Sequence, residues 1–133
     1  MKKLCLVAII FLALTFCLVP MSAFGQMKVG DIIQLCWLLD DTHEIHLAVE
    51  MKDENIFALH GWRDQPWFPV FGTATIFNDH VALEFAEVNV GFKGLQWRFY
   101  LPLPSLEGGS ASRSYIDGSG LYYYSSIELI SCD

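Results

Sequence analysis

Two hydrophobic patterns divide the chain. From Leu4 to Val19 apolar residues run almost unbroken. From Asp31 onward they alternate with polar ones, and a period of two is the signature of strands buried on one face. His43–Met51 is the clearest case, with Ile45, Leu47, Val49 and Met51 on one face and Glu44, His46, Ala48 and Glu50 on the other. Asp31–Leu39 precedes it, with Ile33, Leu35, Trp37 and Leu39 on one side, and Asp40-Asp41-Thr42 joins the two as a hairpin. Ile56–Trp62, Val70–Phe77, Val81–Val88 and Leu95–Leu101 follow, then a weak polar strand at Ala111–Ile116 and a last one at Leu121–Ser131. Turn-forming residues separate them, notably Lys52–Asn55, Asn78–His80 and Asp117–Gly120. Arg63–Pro66 reads as a break, and Asn89–Gly94 as a loop with two glycines.

About eight strands at spacings of roughly 8–12 residues predict an all-β domain. Short connections favour hairpins between sequence neighbours. A meander of this kind can close on itself and lose its exposed edges. The expected fold is therefore a small up-and-down antiparallel β-barrel, with a two-sheet β-sandwich as the alternative.

The first pattern has a different origin. Lys2 and Lys3 start it, Pro20 ends its apolar run, and Ala23-Phe24-Gly25 places small residues two apart. That is the layout of a secretion signal cleaved after Gly25. A spanning helix needs roughly 20 apolar residues, slightly more than this run offers. No basic stop-transfer cluster follows it. Bulky Phe16 ahead of Cys17 argues against lipidation there. The signal has a bacterial style, and the expected location is the periplasm or the medium. The mature domain, 26–133, has 108 residues after removal of 25 from 133, enough for one core.

Cleavage removes Lys2 and Lys3 and no acidic residue. Six basic side chains then face fifteen acidic ones, a formal charge of −9. Nucleic acid and anionic membrane surfaces need a basic patch and are excluded as expected partners. Cleavage also takes Cys5 and Cys17, leaving Cys36 and Cys132. In an oxidising compartment these two are expected to bond. Closing so long a loop contributes about 4–5 kcal/mol in the chain-entropy model.

An outer-membrane barrel would turn its apolar faces outward in strands of about 9–11 residues. Here the polar faces Glu44/His46/Glu50 and Gln96/Arg98 oppose faces of large branched and aromatic residues. A packed interior fits them better. In strand count and order the mature chain resembles the avidin and lipocalin group of small ligand-binding barrels. The resemblance lies in the layout, and the Gly-x-Trp opening of lipocalins is absent from Asp31–Leu39.

Candidate chemistry is sparse. His43 and His46 point to opposite faces of a strand and cannot share a metal. Glu44 and His46 share a face with Glu50, but a solvated strand surface explains them. His60 and His80 lie in separate segments. The serines from Ser110 to Ser126 include no Gly-x-Ser-x-Gly elbow. Gly108-Gly109 lacks the helix and lysine of a phosphate loop. Asp40-Asp41 is expected to bond locally in its turn. No set of catalytic roles can be filled, so no enzyme activity and no cofactor are expected.

The aromatic residues are more suggestive. Trp62, Trp67 and Phe68 flank the Arg63–Pro66 break, and Tyr122 and Tyr124 open the last strand. They are candidates for a rim that binds a ligand or partner, or for a cap that seals the core. The proposed inward set includes Ile45, Leu47, Met51, Leu83, Phe85, Trp97, Phe99 and Leu101, and their size favours a filled barrel. Only Ala58, Gly72 and Ala74 leave room beside them. The function expected is that of an exported, non-catalytic barrel binding a small apolar ligand or an envelope protein. A structural module of the cell envelope is the alternative, and a metal-dependent or hydrolytic enzyme comes after both.

Overall fold

In a computed structural model the described residues are Phe24, 27–88 and 94–133. The predicted leader (apart from Phe24), its cleavage site and most of the Asn89–Gly94 loop lie outside them. The described chain forms β1 (Ile32–Leu39), β2 (His43–Asp53), β3 (Ile56–Arg63), β4 (Gln65–Ile76), β5 (His80–Glu87), β6 (Leu95–Pro102), β7 (Ser110–Tyr115), β8 (Tyr122–Tyr124) and β9 (Ile127–Ile130). They make one antiparallel sheet in the order β8-β7-β6-β5-β4-β3-β2-β1-β9. The all-β barrel is thus the observed fold, with nine strands where alternation suggested about eight.

The extra strand arises because Leu121–Ser131 does not run straight. It breaks at Ser125-Ser126, where Asp40 intervenes. One oxygen of Asp40 accepts the Ser125 N–H (2.8 Å), the Ser125 hydroxyl (2.8 Å) and the Ser126 N–H (2.7 Å). The Asp40-Asp41 turn, expected to bond locally, therefore reaches across 85 residues of chain. Both aspartates hold positive φ (46° and 55°), a conformation Asp tolerates better than most residues. The corner sends β8 to one edge of the sheet, beside β7, and β9 to the other, beside β1. The two edges are joined by two residues, and the sheet nearly closes.

The connection after β6 bridges the remaining gap. Gly108 N–H donates to the Ile127 carbonyl (2.8 Å). Leu129 N–H donates to Glu107 Oε1 (3.2 Å), and the buried Trp37 indole N–H donates to the Leu106 carbonyl (2.9 Å). Cys36 and Cys132 are bonded, tying β1 to the chain just beyond β9.

The inward rows pack one core. Trp37, Leu39, Ile45, Leu47, Val70, Trp97, Phe99 and Leu101 are all fully buried. Phe24 adds an edge contact to Phe57, with ring centroids 5.7 Å apart. Beside it, a hollow bordered by Leu35, Val49, Ala74 and Leu106 holds about 10 Å³, room for no more than one water molecule. Of Ala58, Gly72 and Ala74, the three positions expected to leave room, only Ala74 borders this hollow. Ala58 pairs with Thr73 and Glu50 on the outward face. At Gly72 a Cβ would lie 2.0 Å from the Glu84 carbonyl oxygen and 2.5 Å from Phe85 Cβ. Glycine there lets β4 close onto β5 where the sheet curls.

Outside, the register sets Glu50, Ala58, Thr73, Glu84, Arg98 and Ser112 side by side across six strands. This belt is mostly polar. Among the described residues no helix is long and apolar enough to cross a membrane.

Candidate functional site

One end of the barrel breaks the apolar rule of the interior. There β3 and β5 end and β2 and β6 begin, and the last members of the inward rows are polar. Glu87 follows Val81, Leu83 and Phe85, Arg63 follows Phe57, Leu59 and Gly61, and His43 precedes Ile45. Arg113 lies opposite Trp97 in the ladder.

Glu87 is completely buried and bonded twice to Arg63: Nε to Oε2 at 2.7 Å and Nη2 to Oε1 at 2.8 Å. Its Oε2 also accepts the Trp97 indole N–H at 3.2 Å. Such a pair persists in the interior because planar, two-point geometry and a third donor offset its desolvation. The Glu87 bonds hold the Arg63 guanidinium pKa above its ordinary value, against the opposing effect of burial. A third Arg63 bond goes to Asp64.

Asp64 sits at the β3–β4 corner with φ of 58°. It anchors that corner to β2. Its carboxylate accepts His43 Nδ1–H (2.9 Å) and Glu44 N–H (2.8 Å), and its own N–H donates to the Glu44 carbonyl (2.7 Å). An ionised carboxylate only accepts, which puts the His43 proton on Nδ1.

Trp97 is the centre of this end. Tyr124 stacks on it (5.6 Å between centroids, 20°), and His43 meets it edge-on at 6.3 Å. The Arg63 guanidinium lies 4.6 Å from the Phe68 ring centre and 6.0 Å from that of Trp97. The Arg113 guanidinium lies 5.9 Å from Trp97 and 5.6 Å from Tyr122. Among the described residues Arg113 forms no ion pair. Tyr124, only 7 % exposed, has a hydroxyl that is buried without a hydrogen-bond partner among the described residues. Burial pushes its pKa up to about 12. The hydroxyl thus stays protonated, and a buried donor without an acceptor is a costly thing to keep.

The five aromatic candidates separate accordingly. Tyr124 stacks on Trp97, Phe68 meets the Arg63 guanidinium, and Tyr122 meets Arg113 and Tyr124. Trp62 points outward and stacks on His46 (5.0 Å, 12°). Trp67 is 68 % exposed. The Arg63–Pro66 break is a tight corner, not a loop: pairing jumps from Arg63↔Gln65 to Trp62↔Pro69, so Pro66-Trp67-Phe68 bulges from the ladder within β4. Sequence reasoning missed Arg63, Asp64, His43, Glu87 and Arg113. The signal was present, since continuing each inward row by one step reaches His43, Arg63 and Glu87.

Chemically, the cluster offers two donors without acceptors among the described residues, Tyr124 and Arg113, beside an aromatic wall. The His43–Asp64 pair has the form of a base and its orienting carboxylate. Among the described residues, however, no hydroxyl or thiol lies within hydrogen-bond reach of the His43 ring. No group of three or more described His, Cys, Asp or Glu side chains could hold a metal ion. Comparisons with protein-family models, curated proteins and solved structures return no match for the chain.

Proposed function

We propose that the chain is an exported, non-catalytic barrel that acts by binding a protein partner of the cell envelope at the Trp97 end. The carrying observation is the Tyr124 hydroxyl, buried without a partner among the described residues, beside Arg113, which forms no ion pair among them. Both groups suit an acceptor on a partner segment, such as a carboxylate or carbonyl. Exposed Trp67 and half-exposed Tyr122 add apolar anchors of the kind that dominate interface energetics.

A small apolar ligand held in the lumen, as avidin and lipocalin barrels hold theirs, is the less favoured reading. Among the described residues, the hollow between Leu35, Val49, Ala74 and Leu106 holds about 10 Å³, too little for such a ligand. The polar outward belt fits a barrel in water better than one in lipid. In this reading the disulfide belongs to an oxidising compartment outside the cytoplasm.

Co-purification from envelope extracts tests the proposal. Trp67→Ala and Arg113→Gln are each expected to lose the partner that the wild-type chain retains, with unchanged melting temperature. Retention by both variants overturns it.

A further inference from the structure

The Cys36–Cys132 disulfide lies in surroundings that a purely structural bond does not need. Cys36 is 1 % exposed, on the outward side of β1 opposite His46. Cys132 is exposed at the chain end. Cys36 Sγ lies 3.2 Å from His46 Nδ1, and His46 Nε2 lies 3.0 Å from Glu44 Oε2. Trp62 stacks on the His46 ring and fixes its plane. Both sulfurs border a surface hollow of about 380 Å³, lined also by Gln34, His46, His60 and Trp62.

The chemistry of the two His46 contacts is specific. An ionised carboxylate accepts and a disulfide sulfur carries no proton, so only the doubly protonated ring donates to both. A doubly protonated ring places an N–H at the sulfur that would carry charge if the bond opened. The β1–β9 ladder, from Cys36↔Ile130 to Leu39↔Ile127, holds the two strands together independently of the bond. The bond is therefore one of two links between these strands.

We propose that Cys36–Cys132 is a thiol–disulfide exchange site, with Cys132 as the sulfur attacked and Cys36 as the leaving group. The thiolate of a small thiol or a protein dithiol forms a new S–S bond to Cys132. The Cys132–Cys36 bond breaks, and its electron pair goes to Cys36 Sγ, which takes the His46 Nδ1 proton or remains as a thiolate paired with the imidazolium. A second thiolate then attacks the incoming sulfur and releases Cys132. The thiols are oxidised to a disulfide and the protein gains two electrons. A neighbouring imidazolium lowers the leaving thiol's pKa and so speeds its departure.

The test follows reduction of the oxidised, full-length protein by glutathione from pH 5 to 8, expressed per glutathione thiolate. Groups facing His46 that bear on this profile are Glu44 on its own strand, His60 on β3, and Cys132 and Asp133 at the chain end. The wild-type rate should fall from the acidic to the alkaline end of this range. His46→Gln should be slower by roughly tenfold at the acidic end, with a flat profile. His46→Lys, which restores a charge, should recover part of the rate. Peptide mapping of the trapped mixed disulfide should find glutathione on Cys132. Glutathione on Cys36, or equal rates and profiles for wild type and His46→Gln, overturns the proposal. The wild-type pH profile and the mapping stand even if the variant fails to fold.

Discussion

Arg63 and Glu87 face each other inside the barrel in a two-point ion pair, with bonds of 2.7 and 2.8 Å and the carboxylate wholly buried. The pair ties the end of β3 to the end of β5 across the intervening β4, and sets the orientation of Trp97. Removing one partner leaves the other charged, with Glu87 wholly buried and the Arg63 side chain largely so. Glu87→Gln or Arg63→Met is therefore expected to cost about 3–5 kcal/mol, and replacing both by apolar residues to cost much less. Urea unfolding followed by tryptophan fluorescence measures each term. Equal losses in the single and double variants would contradict this account of the pair.

Asp40 makes stability depend on pH. Donation from the Ser125 hydroxyl first, and then from Ser126 N–H, holds its carboxyl below the usual range. A carboxyl with a depressed folded-state pKa contributes its stability in full above the unfolded value of about 3.9 and loses it as pH falls through the folded value. The melting temperature should therefore drop below about pH 4. Asp40→Asn should show a smaller drop there and a lower plateau at neutral pH. A variant that tracks wild type at every pH would show that the corner holds without Asp40.

Tyr124 should behave as a donor kept at a cost. Tyr124→Phe removes a buried unsatisfied hydroxyl and should stabilise the isolated protein by about 1–3 kcal/mol. In an alkaline titration one tyrosine should ionise near 12, well above the usual value of about 10. Its raised folded-state pKa means that stability falls as pH rises above 10, through the window in which only the unfolded chain releases this proton. Loss of the late-titrating component in Tyr124→Phe would assign it.

At Gly72 a methyl group has nowhere to go, because the Glu84 backbone oxygen would lie 2.0 Å away. Gly72→Ala is expected to destabilise by about 1–3 kcal/mol or more, as overpacking does. Thermal melting with a near-ultraviolet signal from Trp97 reads the effect. Wild-type stability would mean that β4 and β5 can separate locally.

Much of the barrel is legible in period-two alternation. Ile45/Leu47/Val49, Val81/Leu83/Phe85 and Trp97/Phe99/Leu101 face inward as their spacing predicts. The rest depends on contacts that local pattern does not carry. Nothing near Ser125 announces that Asp40 will bend the chain there, because the two meet only when the sheet curls. The site is half-legible for the same reason. His43, Arg63 and Glu87 extend their inward rows, but a polar residue at the end of a row also reads as the point where the strand leaves the core. That Tyr124 stacks on Trp97 and Phe68 meets Arg63 while Trp62 turns to His46 follows from the register, and from the bulge at Pro66–Phe68 in particular.

Partner binding at the Trp97 end is most directly tested by photo-crosslinking in cells that export the protein. A crosslinking residue at position 67 lies beside the Arg63–Asp64 corner, and one at exposed Ser110 lies at the opposite end of the barrel. The expected result is one discrete adduct from position 67, absent from position 110 and abolished by Arg113→Gln. Adducts of equal yield from both ends, or none from position 67, would contradict the proposed binding end.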